Sequence, residues 1–472
     1  TASDLFQFAD EVKFDYSTTS GSAYLRQLVG EKISLLAQVN AGSYQSSQHD
    51  VEGNDQSKFS NAIAYRRATL SGFFHPAQSF QVEIGVNRTR YEVSPGELEA
   101  VGVSIVKPEK LAAEQGEETS FFLHNQWQVG KQLELMAGVR YTIYRSLGAD
   151  QIYLYQPGAP KMEETIVDST QFSSGEKIAS YSGWEPRFSL RFELSENGSV
   201  KLGYNRSFQY LNQISNTAAA APVDVWQLSN RHVEPQHADN FSIGYEHLFK
   251  ANALRANLTV FYRRIHKLLE FKDFAQLLLN DHLETELLQG KGKAHGVEVY
   301  LQKKQGRSQF ELNYTWSRTL RQVAATAEQE AVSFGNWYPS NFDKPHNLNF
   351  NYHFQARPKS ALSINFTYST GRPTTAPISI YGNQNLITIP VYSERNQFRI
   401  PDYHRLDFAW TIGPWGRRDR WQNSLTFSLY NVYFRKNAFS IFFRQQPGQG
   451  VEAYRVAVLG TVFPAVTYDF KF

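Results

Sequence analysis

Polar and apolar residues alternate with a period of two along much of the chain. In 346–354 the even positions from 348 onward carry Leu, Phe, Tyr and Phe, while the odd positions carry Asn or His. The same pattern fills 361–369 and 309–316, and it recurs less cleanly in 33–41, 80–86, 133–143, 188–194, 254–263 and 405–412. A helix places side chains with a period of 3.6, so this pattern predicts β-strands that are polar on one face and apolar on the other.

The number and length of these segments indicate a barrel that crosses a membrane. About 17 segments of roughly 10–15 residues occur, which is enough for a tilted strand to span a bilayer. Short polar turns are predicted at 75–78, 196–198, 250–252, 305–307 and 356–359. Long linkers lie between them, at 42–57, 94–116, 148–180, 213–237, 272–292, 322–340, 372–400 and 437–450. Short turns on one side and long loops on the other are typical of outer-membrane barrels, whereas a soluble jelly roll reproduces only parts of this alternation.

The C-terminal segment indicates the direction in which the predicted strands run. Val466, Tyr468, Phe470 and Phe472 alternate with polar residues up to an aromatic carboxy terminus. This ending resembles the terminal signal by which outer-membrane proteins are recognised for insertion. With the last strand ending in the periplasm, a first strand at 6–16 also runs inward. Two end strands that run in the same direction cannot close an antiparallel barrel, so the sequence predicts further strands or a different count.

The composition excludes further classes of protein and of functional site. The chain has 472 residues, a mean hydropathy of −0.46 and no apolar run near the roughly 18 residues that a spanning helix needs. Lys and Arg number 48 against 45 Asp and Glu, so the net charge of +3 gives no reason to expect a nucleic-acid partner. The absence of cysteine excludes disulfides, thiolate metal sites and Cys nucleophiles. Aromatic residues make up 14% of the chain, which suits the interfaces of a membrane.

Several short motifs resemble the TonB-dependent receptor family of Bacteroidota outer membranes. The resemblance covers most of the chain and is best in 184–472. It rests on Trp226 and on 184–191 (WEPRFSLR), 200–210 (VKLGYNRSFQY), 234–236 (EPQ), 244–246 (GYE), 261–264 (FYRR), 292–298 (GKAHGVE), 313–317 (NYTWS), 342–346 (FDKPH) and 428–437 (SLYNVYFRKN).

The resemblance implies a barrel of about 22 strands that is filled by an N-terminal plug. Here no globular plug precedes the strands, and about five strands are missing from the count. We therefore expect residues 1–472 to be an all-β, transmembrane antiparallel barrel, the larger part of a 22-stranded one, with the plug absent from this chain. Truncation, or a plug supplied as another chain, accounts for that absence.

The function implied by the resemblance is uptake of a bulky nutrient across the outer membrane of a Gram-negative bacterium. Carbohydrate, peptide and iron-chelate ligands all remain open. The implied partners are outer-membrane lipid, the TonB–ExbB–ExbD complex acting through a plug, and a surface lipoprotein lid. The alternative is a structural or secretion-associated barrel subunit that does not transport.

Enzymatic chemistry finds little support in the residues. The glycines of 290–296 lack the Lys-Ser/Thr ending of a phosphate-binding loop, and no nucleophile elbow or His-Glu-x-x-His motif occurs. The histidines lack metal-ligand spacing. Carboxylates at Glu83, Glu134, Glu193 and Glu311 fall on polar, lumen-facing positions that suit a hydrated wall. We expect no catalytic residue, no metal site and no cofactor.

The aromatic residues divide into two groups. Those near strand ends are expected to form interfacial girdles, and they include Trp184, Trp316, Trp410, Trp415 and Trp421. The basic turn 416–420 between the last two suits lipid phosphate on the periplasmic side. Aromatic and Arg residues on the predicted outer loops suit ligand capture by stacking and charge-assisted hydrogen bonds. These ligand-binding candidates are Trp226, Arg231, Trp337, Tyr338, Arg372, Tyr381, Tyr392 and Arg395.

Overall fold

The computed structural model describes residues 11–52, 55–101, 106–215, 224–249, 253–325, 330–382, 388–415, 422–445, 451–457 and 459–471. One 19-stranded sheet dominates it and consists of seventeen long strands and two strands of two residues each. The long strands are β1 (Glu11–Val29), β2 (Ile33–Glu52), β3 (Asp55–Ala77), β4 (Phe80–Ala100), β5 (Glu114–Val129), β6 (Leu133–Leu147), β7 (Lys177–Ser195), β8 (Gly198–Gln209), β9 (Gln236–Phe249), β10 (Leu254–Phe271), β11 (Leu287–Lys303), β12 (Ser308–Gln322), β13 (His346–Arg357), β14 (Ser360–Ser369), β15 (Tyr403–Trp415), β16 (Gln422–Tyr430) and β17 (Phe463–Lys471).

The remaining elements are short and lie between the long strands. Two-residue strands at Glu109–Lys110 and Tyr338–Pro339 join the main sheet, and the other ten short strands pair into separate two-stranded sheets. Those ten are Asp150–Tyr155, Ile166–Phe172, Leu211–Ile214, Val225–Leu228, Pro373–Thr374, Pro377–Gly382, Thr388–Tyr392, Phe398–Arg399, Ala438–Gln445 and Val451–Ala457. Helix is confined to single turns at Glu163–Thr165, Leu283–Glu286 and Ser333–Gly335. In the described ranges, no helix is long and apolar enough to span a membrane.

Each long strand pairs antiparallel with the next one along the chain, so the fold is an all-β meander. At one end the described connections are two to four residues long, as at 30–32, 130–132, 196–197 and 358–359. Gly30 and Gly130 supply the positive φ that two of these turns require, at 70° and 65°. The predicted alternation of short turns with longer outer connections is confirmed at seven of the eight outer connections. The exception lies between β2 and β3, which only two residues separate, and the predicted turns 250–252 and 416–420 fall outside the described residues.

The predicted count of about 17 strands is confirmed, and the sheet has two free edges among its described residues. β1 pairs only with β2, and β17 pairs only with β16. Every described side chain in 13–33 and in Phe463–Lys471 is exposed, on both faces of these edge strands. The two edges run in the same direction, as the odd number of strands requires.

Several boundaries predicted from the sequence are wrong. The predicted linker 42–57 contains the outer half of β2 and the first three residues of β3, and the predicted linker 94–116 contains the end of β4 and the start of β5. The first strand extends to Val29 rather than ending at 16, and it runs inward as expected, while 6–10 of the prediction lie outside the described residues. The cause is shared: these outer strand ends are polar on both faces, so pairing continues where alternation has stopped.

Outward-facing side chains form an apolar band around the sheet. Across β8, β9 and β10 the paired rows Tyr204–Phe241–Tyr262 and Leu202–Ile243–Val260 face outward, and Ile243 is 51% exposed. Trp184, Trp316, Trp410 and Trp415 are also exposed, whereas Trp421 is not among the described residues. The opposite face is polar, as at Glu246, which accepts hydrogen bonds from Lys201 (3.0 Å) and Arg255 (2.8 Å). Apolar outside and polar inside is the arrangement of a transmembrane barrel, which confirms the predicted fold class.

Candidate functional site

The longer connections at the outer end pack against one another and form a cap, which we call the outer cap. It comprises the described residues of 148–176, 210–235, 272–286, 323–345, 370–402 and 431–462. Its apolar core joins two neighbouring loops through Ile214, Val225, Val233, Ala275, Leu277, Leu283 and Leu287. A second small core contains Leu288, Val323, Val332 and Tyr338. Buried apolar contacts between separate loops hold the cap in one arrangement.

One part of the cap folds back against the inner wall of the sheet. The strands Leu211–Ile214 and Val225–Leu228 pair with each other, and we call them the inner hairpin. Glu114, at the outer end of β5, accepts hydrogen bonds from the Gln227 side chain and from the Leu228 backbone N–H at 2.7 Å. Tyr144 on β6 is fully buried and donates to the Ser229 carbonyl at 2.8 Å. These contacts hold the inner hairpin across the lumen.

A buried carboxylate connects three loops and two strands of the cap. Glu270 is 3% exposed and lies at the outer end of β10. It accepts hydrogen bonds from Arg321 Nη1 (2.8 Å), from the Tyr338 hydroxyl (2.9 Å) and from Arg395 Nη1 (3.4 Å). Arg395 also contacts Asp273 at 2.6 Å. Burial and the neighbouring Glu270 raise the pKa of the Tyr338 hydroxyl above its usual range, so Tyr338 acts only as a donor here.

A second buried carboxylate fixes the loop between β12 and β13. Asp343 is fully buried and accepts a hydrogen bond from the Thr319 backbone N–H at 2.6 Å. Its carboxylate also pairs with Arg318 (3.3 Å) and with Arg399. Arg399 donates to the Asp343 carbonyl at 2.7 Å as well. Asp343 therefore ties the loop after β14 to the loop after β12.

Histidine and tyrosine side chains join the hairpin of Asp150–Tyr155 and Ile166–Phe172 to the rest of the cap. The Tyr155 hydroxyl donates to Glu284 at 2.6 Å, and a His232 ring nitrogen lies 3.0 Å from the Tyr153 carbonyl. The His282 ring packs edge-on against Tyr153, with centroids 4.6 Å apart. Burial lowers the pKa of His232, which favours its neutral form. Within the described ranges, no three His, Asp or Glu side chains are grouped so as to hold a metal ion.

The structure brings two of the ligand-binding candidates together and spreads the others over the cap. Tyr338 and Arg395 meet at Glu270 and are mostly buried. Trp226 is half-buried in the inner hairpin, and Arg231 is exposed just after it. These four residues lie on or near the buried contacts that hold the cap.

Of the other four candidates, the three whose side chains are described lie nearer the surface. Trp337 is 39% exposed and covers the Lys293 ammonium at 4.1 Å, and Tyr392 packs edge-on against Phe274. Arg372 is half-buried, donates to the Phe439 carbonyl at 3.2 Å and has its pKa lowered by burial. Tyr381 lies in the strand Pro377–Gly382, and its side chain is outside the described part of the structure. The exposed candidates Arg231, Trp337 and Tyr392 therefore present aromatic and cationic groups at the surface of the cap.

Three acidic residues of the site were not singled out from the sequence. Glu114, Glu270 and Asp343 each sit at or beyond a strand end, where the period of two has stopped. Glu270 directly follows the apolar pair Leu268 and Leu269, and this position is the one feature of the sequence that indicates burial of its carboxylate. Its partner Arg395 is 125 residues away, a pairing that no local pattern predicts.

Two hollows accompany the cap and the lumen. A cavity of about 180 Å³ lies between the inner hairpin and the Glu270 cluster, and its lining includes Asn212, Gln213, Leu269, Glu270 and Arg321. A larger concavity of about 760 Å³ lies on the wall of β11 to β17 and includes Glu311, Asn351, Asn365 and Asp407. The polar groups of this wall suit contact with water or with a folded polypeptide rather than with lipid.

Comparison with known proteins places these features in a family context. The profile of the family described as "TonB dependent receptor-like, beta-barrel" matches residues 3–432. No curated protein sequence matches the chain.

Solved structures with the same fold include two receptors for ferric compounds and one iron transporter. The ferric-catecholate import receptor Fiu of E. coli K12 is 15% identical, with 98% of this chain and 65% of Fiu aligned and a TM-score of 0.57. The ferric yersiniabactin uptake receptor FyuA of Yersinia pestis is 13% identical over 99% of this chain and 63% of FyuA, with a TM-score of 0.60. The FrpB iron transporter of Neisseria meningitidis is 14% identical over 97% and 63%, with a TM-score of 0.57. The chain thus spans a little under two thirds of these three structures.

Proposed function

Because the chain belongs to the TonB dependent receptor-like β-barrel family, we propose that it is the barrel of an outer-membrane receptor for energised uptake of a bulky ligand. The observation that carries the proposal is the outer cap, an ordered set of loops with exposed Trp and Arg side chains above a polar lumen. Surface aromatic and Arg residues bind ligands by stacking and charge-assisted hydrogen bonds. No reaction is catalysed in this proposal.

The proposal includes a plug and further strands. Within the described residues β1 and β17 are the two edge strands of the sheet, and an edge strand is a site where additional antiparallel strands add. The polar row of register partners Glu311, Asn351, Asn365 and Asp407 suits a folded plug within the lumen. In this scheme residues 1–472 supply barrel wall and cap, and the TonB–ExbB–ExbD complex pulls on the plug to open a path.

The proposal extends to the class of ligand and to the source organism. The relatives named above import or take up ferric catecholate and ferric yersiniabactin, so ferric chelates are the first ligands to test, followed by oligosaccharides and peptides. The motifs quoted from the sequence support a Bacteroidota source, and a surface lipoprotein that covers the cap fits that source. The inner hairpin is anchored to the wall by buried contacts, which favours the non-transporting subunit as the second candidate function.

Uptake by cells tests the proposal. The full-length protein is produced in the outer membrane of a strain without its own receptors, and radiolabelled ferric chelates, oligosaccharides and peptides are added with and without a protonophore. We expect one ligand class to accumulate, and we expect the protonophore to abolish accumulation while leaving surface binding intact. Energised uptake would be contradicted if accumulation were insensitive to the protonophore. It would also be contradicted if no ligand class accumulated and the protein co-purified stably with large partner proteins.

The candidate residues are tested in the same assay. The triple variant Arg231→Ala, Trp337→Ala, Tyr392→Ala should bind the accumulated ligand at least about tenfold more weakly, because aromatic and Arg side chains dominate binding energy at contact surfaces. Its control is the triple variant Val167→Ala, Phe334→Ala, Phe342→Ala, which removes exposed cap residues outside the candidate set. Equal binding by both variants would remove the three residues from the proposed site.

A further inference from the structure

The cavity of about 180 Å³ between the inner hairpin and the Glu270 cluster has walls from both sides of the lumen. Gln209 on β8, Gln236 on β9 and Arg321 on β12 lie on the lumen face at the outer ends of their strands. The inner hairpin adds Asn212 and Gln213 from the other side. Gln209 and Gln213 are exposed, so the cavity opens to solvent.

A β-bulge in β10 directs Glu270 into this cavity. The register with β11 shifts between His266 and Leu268, and Lys267 at the shift has a positive φ of 53°. The extra residue turns Leu268 and Glu270 inward, where both are buried, and leaves Lys267 exposed. Unbroken alternation would instead place the Lys267 ammonium on the lumen face. Bulges re-aim side chains in this way beside functional sites.

The two charged side chains of the lining neutralise each other. Among the described residues around the cavity, only Glu270 and Arg321 carry charge, and they form an ion pair at 2.8 Å. Arg395 contacts Glu270 from outside the lining and is itself paired with Asp273. The other polar lining groups are five carboxamides and one hydroxyl. A charged ligand would lose its hydration here without meeting an opposite net charge, so the cavity favours a neutral ligand.

The five carboxamides have hydrogen-bonding atoms without a protein partner in the described part of the chain. Asn212 Oδ1 accepts from Gln236 Nε2 at 3.1 Å, which leaves Asn212 Nδ2 as a donor. Asn341 Oδ1 accepts from Asn396, which leaves Asn341 Nδ2 as a second donor. Three acceptors remain because their Nε2 atoms already donate within the protein, namely Oε1 of Gln209, Gln213 and Gln236. Donors and acceptors therefore share one small space.

Hydroxyl groups are the ligand groups that match such a wall, because each hydroxyl both donates and accepts hydrogen bonds. Arg321 binds Glu270 through Nη1, and its other N–H groups offer a planar set of donors for two neighbouring hydroxyl oxygens. Leu268, Leu269 and Phe271 supply apolar surface for the C–H face of a ring. Pockets for drug-sized ligands take about 300–1,000 Å³, so this smaller cavity suits a single ring.

We propose that this cavity binds one neutral, polyhydroxylated ring, the terminal sugar unit of an oligosaccharide that the outer cap captures. The inference rests on the proposed function as a receptor and names its ligand class. Asn212 and Gln213 hold the ring from the inner hairpin, and Glu270 and Arg321 hold it from the wall. A bound sugar thus joins the inner hairpin to the Glu270 cluster.

An array of neutral and anionic oligosaccharides, probed with the full-length protein in a detergent without a sugar headgroup, tests this assignment. We expect at least one neutral oligosaccharide to bind. The double variant Asn212→Asp, Asn341→Asp keeps both Oδ1 acceptors and removes the two free donors. At roughly fivefold per neutral hydrogen bond, it should bind that oligosaccharide about 25-fold more weakly.

The matched control is the double variant Asn230→Asp, Asn336→Asp, which adds the same charge to the outer cap. Neither asparagine lines the cavity. Asn230 resembles Asn212 in its bonding, because its Oδ1 accepts hydrogen bonds, from the backbone N–H groups of His232 and Val233. The control should bind the oligosaccharide as the wild type does.

Three results would overturn the sugar assignment. They are no binding to any member of the array, binding to anionic oligosaccharides alone, and equal affinities of the two double variants. Heat-modifiable electrophoretic mobility checks that each variant is folded. The single variant Asn341→Asp changes a half-buried side chain and should lose about fivefold, so it gives the same test if the double variant does not fold.

This experiment is independent of ligand uptake. A protein that binds a neutral oligosaccharide through the cavity but accumulates no ligand would keep the sugar site and lose the proposed transport. A protein that accumulates a ferric chelate or a peptide, and binds no oligosaccharide, would keep transport and lose the sugar site.

Discussion

Glu270→Ala is expected to loosen the outer cap by about 3–5 kcal/mol, which is the range for removing one partner from a buried ion pair. Without the carboxylate, Arg321 and Arg395 keep their charges at 20% and 10% side-chain exposure, and the Tyr338 hydroxyl loses its acceptor. Hydrogen exchange in the full-length, folded barrel measures the effect. The segments 272–286 and 388–402 should exchange faster, with β10 and β11 unchanged below the girdle.

Asp273→Ala is the matched control for this change. Asp273 binds the same Arg395, at 2.6 Å, but is 53% exposed. Exposed pairs contribute about 0–1 kcal/mol, so its removal should change exchange in the cap only slightly. Equal effects of the two variants would show that the Glu270 cluster does not hold the cap together.

Ile243→Arg is expected to cost about 2–4 kcal/mol of folding free energy in a bilayer, because it places a charge on the lipid-facing side of β9. Its neighbour Ser242 points to the lumen, so Ser242→Arg should cost far less. Urea-dependent folding of the full-length protein into phospholipid vesicles, followed by heat-modifiable mobility, measures both variants. Adjacent positions with opposite outcomes are the signature of a membrane-spanning strand.

Similar losses at the two positions would contradict the assignment of faces. A larger loss at Ser242 would mean that β9 presents its polar side to lipid, which its exposed Phe241, Ile243 and Tyr245 make physically unfavourable.

The sequence predicts the wall of this barrel far better than its cap. Alternation in 346–354 and 361–369 becomes β13 and β14 in direct register, with Phe350 opposite Phe366 and Asn351 opposite Asn365. Along each strand of the wall, side chains alternately face lipid and the lumen, so apolar and polar residues alternate. This alternation can be recognised in a short stretch of sequence. The outer part of β2 and the start of β3 carry polar residues on both faces and show no such alternation, which is why 42–57 was predicted as a linker.

The site is harder to predict because its contacts join residues that are far apart in the sequence. Glu270 meets Arg395, and Asn61 on β3 donates to the carbonyl of Asp224, 163 residues away in the loop after β8. These contacts depend on the curvature of the sheet, which brings distant loops together. Residue type alone selected Tyr338 and Arg395 as ligand-binding candidates, whereas the structure places both in buried contacts with Glu270 in the interior of the cap.

Surface labelling in whole cells tests the central claim, that the barrel spans the outer membrane with the cap outside. The sequence contains no cysteine, so each introduced thiol is unique. Val167→Cys places a thiol in the cap, at a position that is 63% exposed, and Lys131→Cys places one in a short turn. A membrane-impermeant maleimide should label the Val167 variant in intact cells and the Lys131 variant only after the outer membrane is permeabilised. Labelling of the Lys131 variant alone in intact cells, or of neither variant before permeabilisation, would contradict the account.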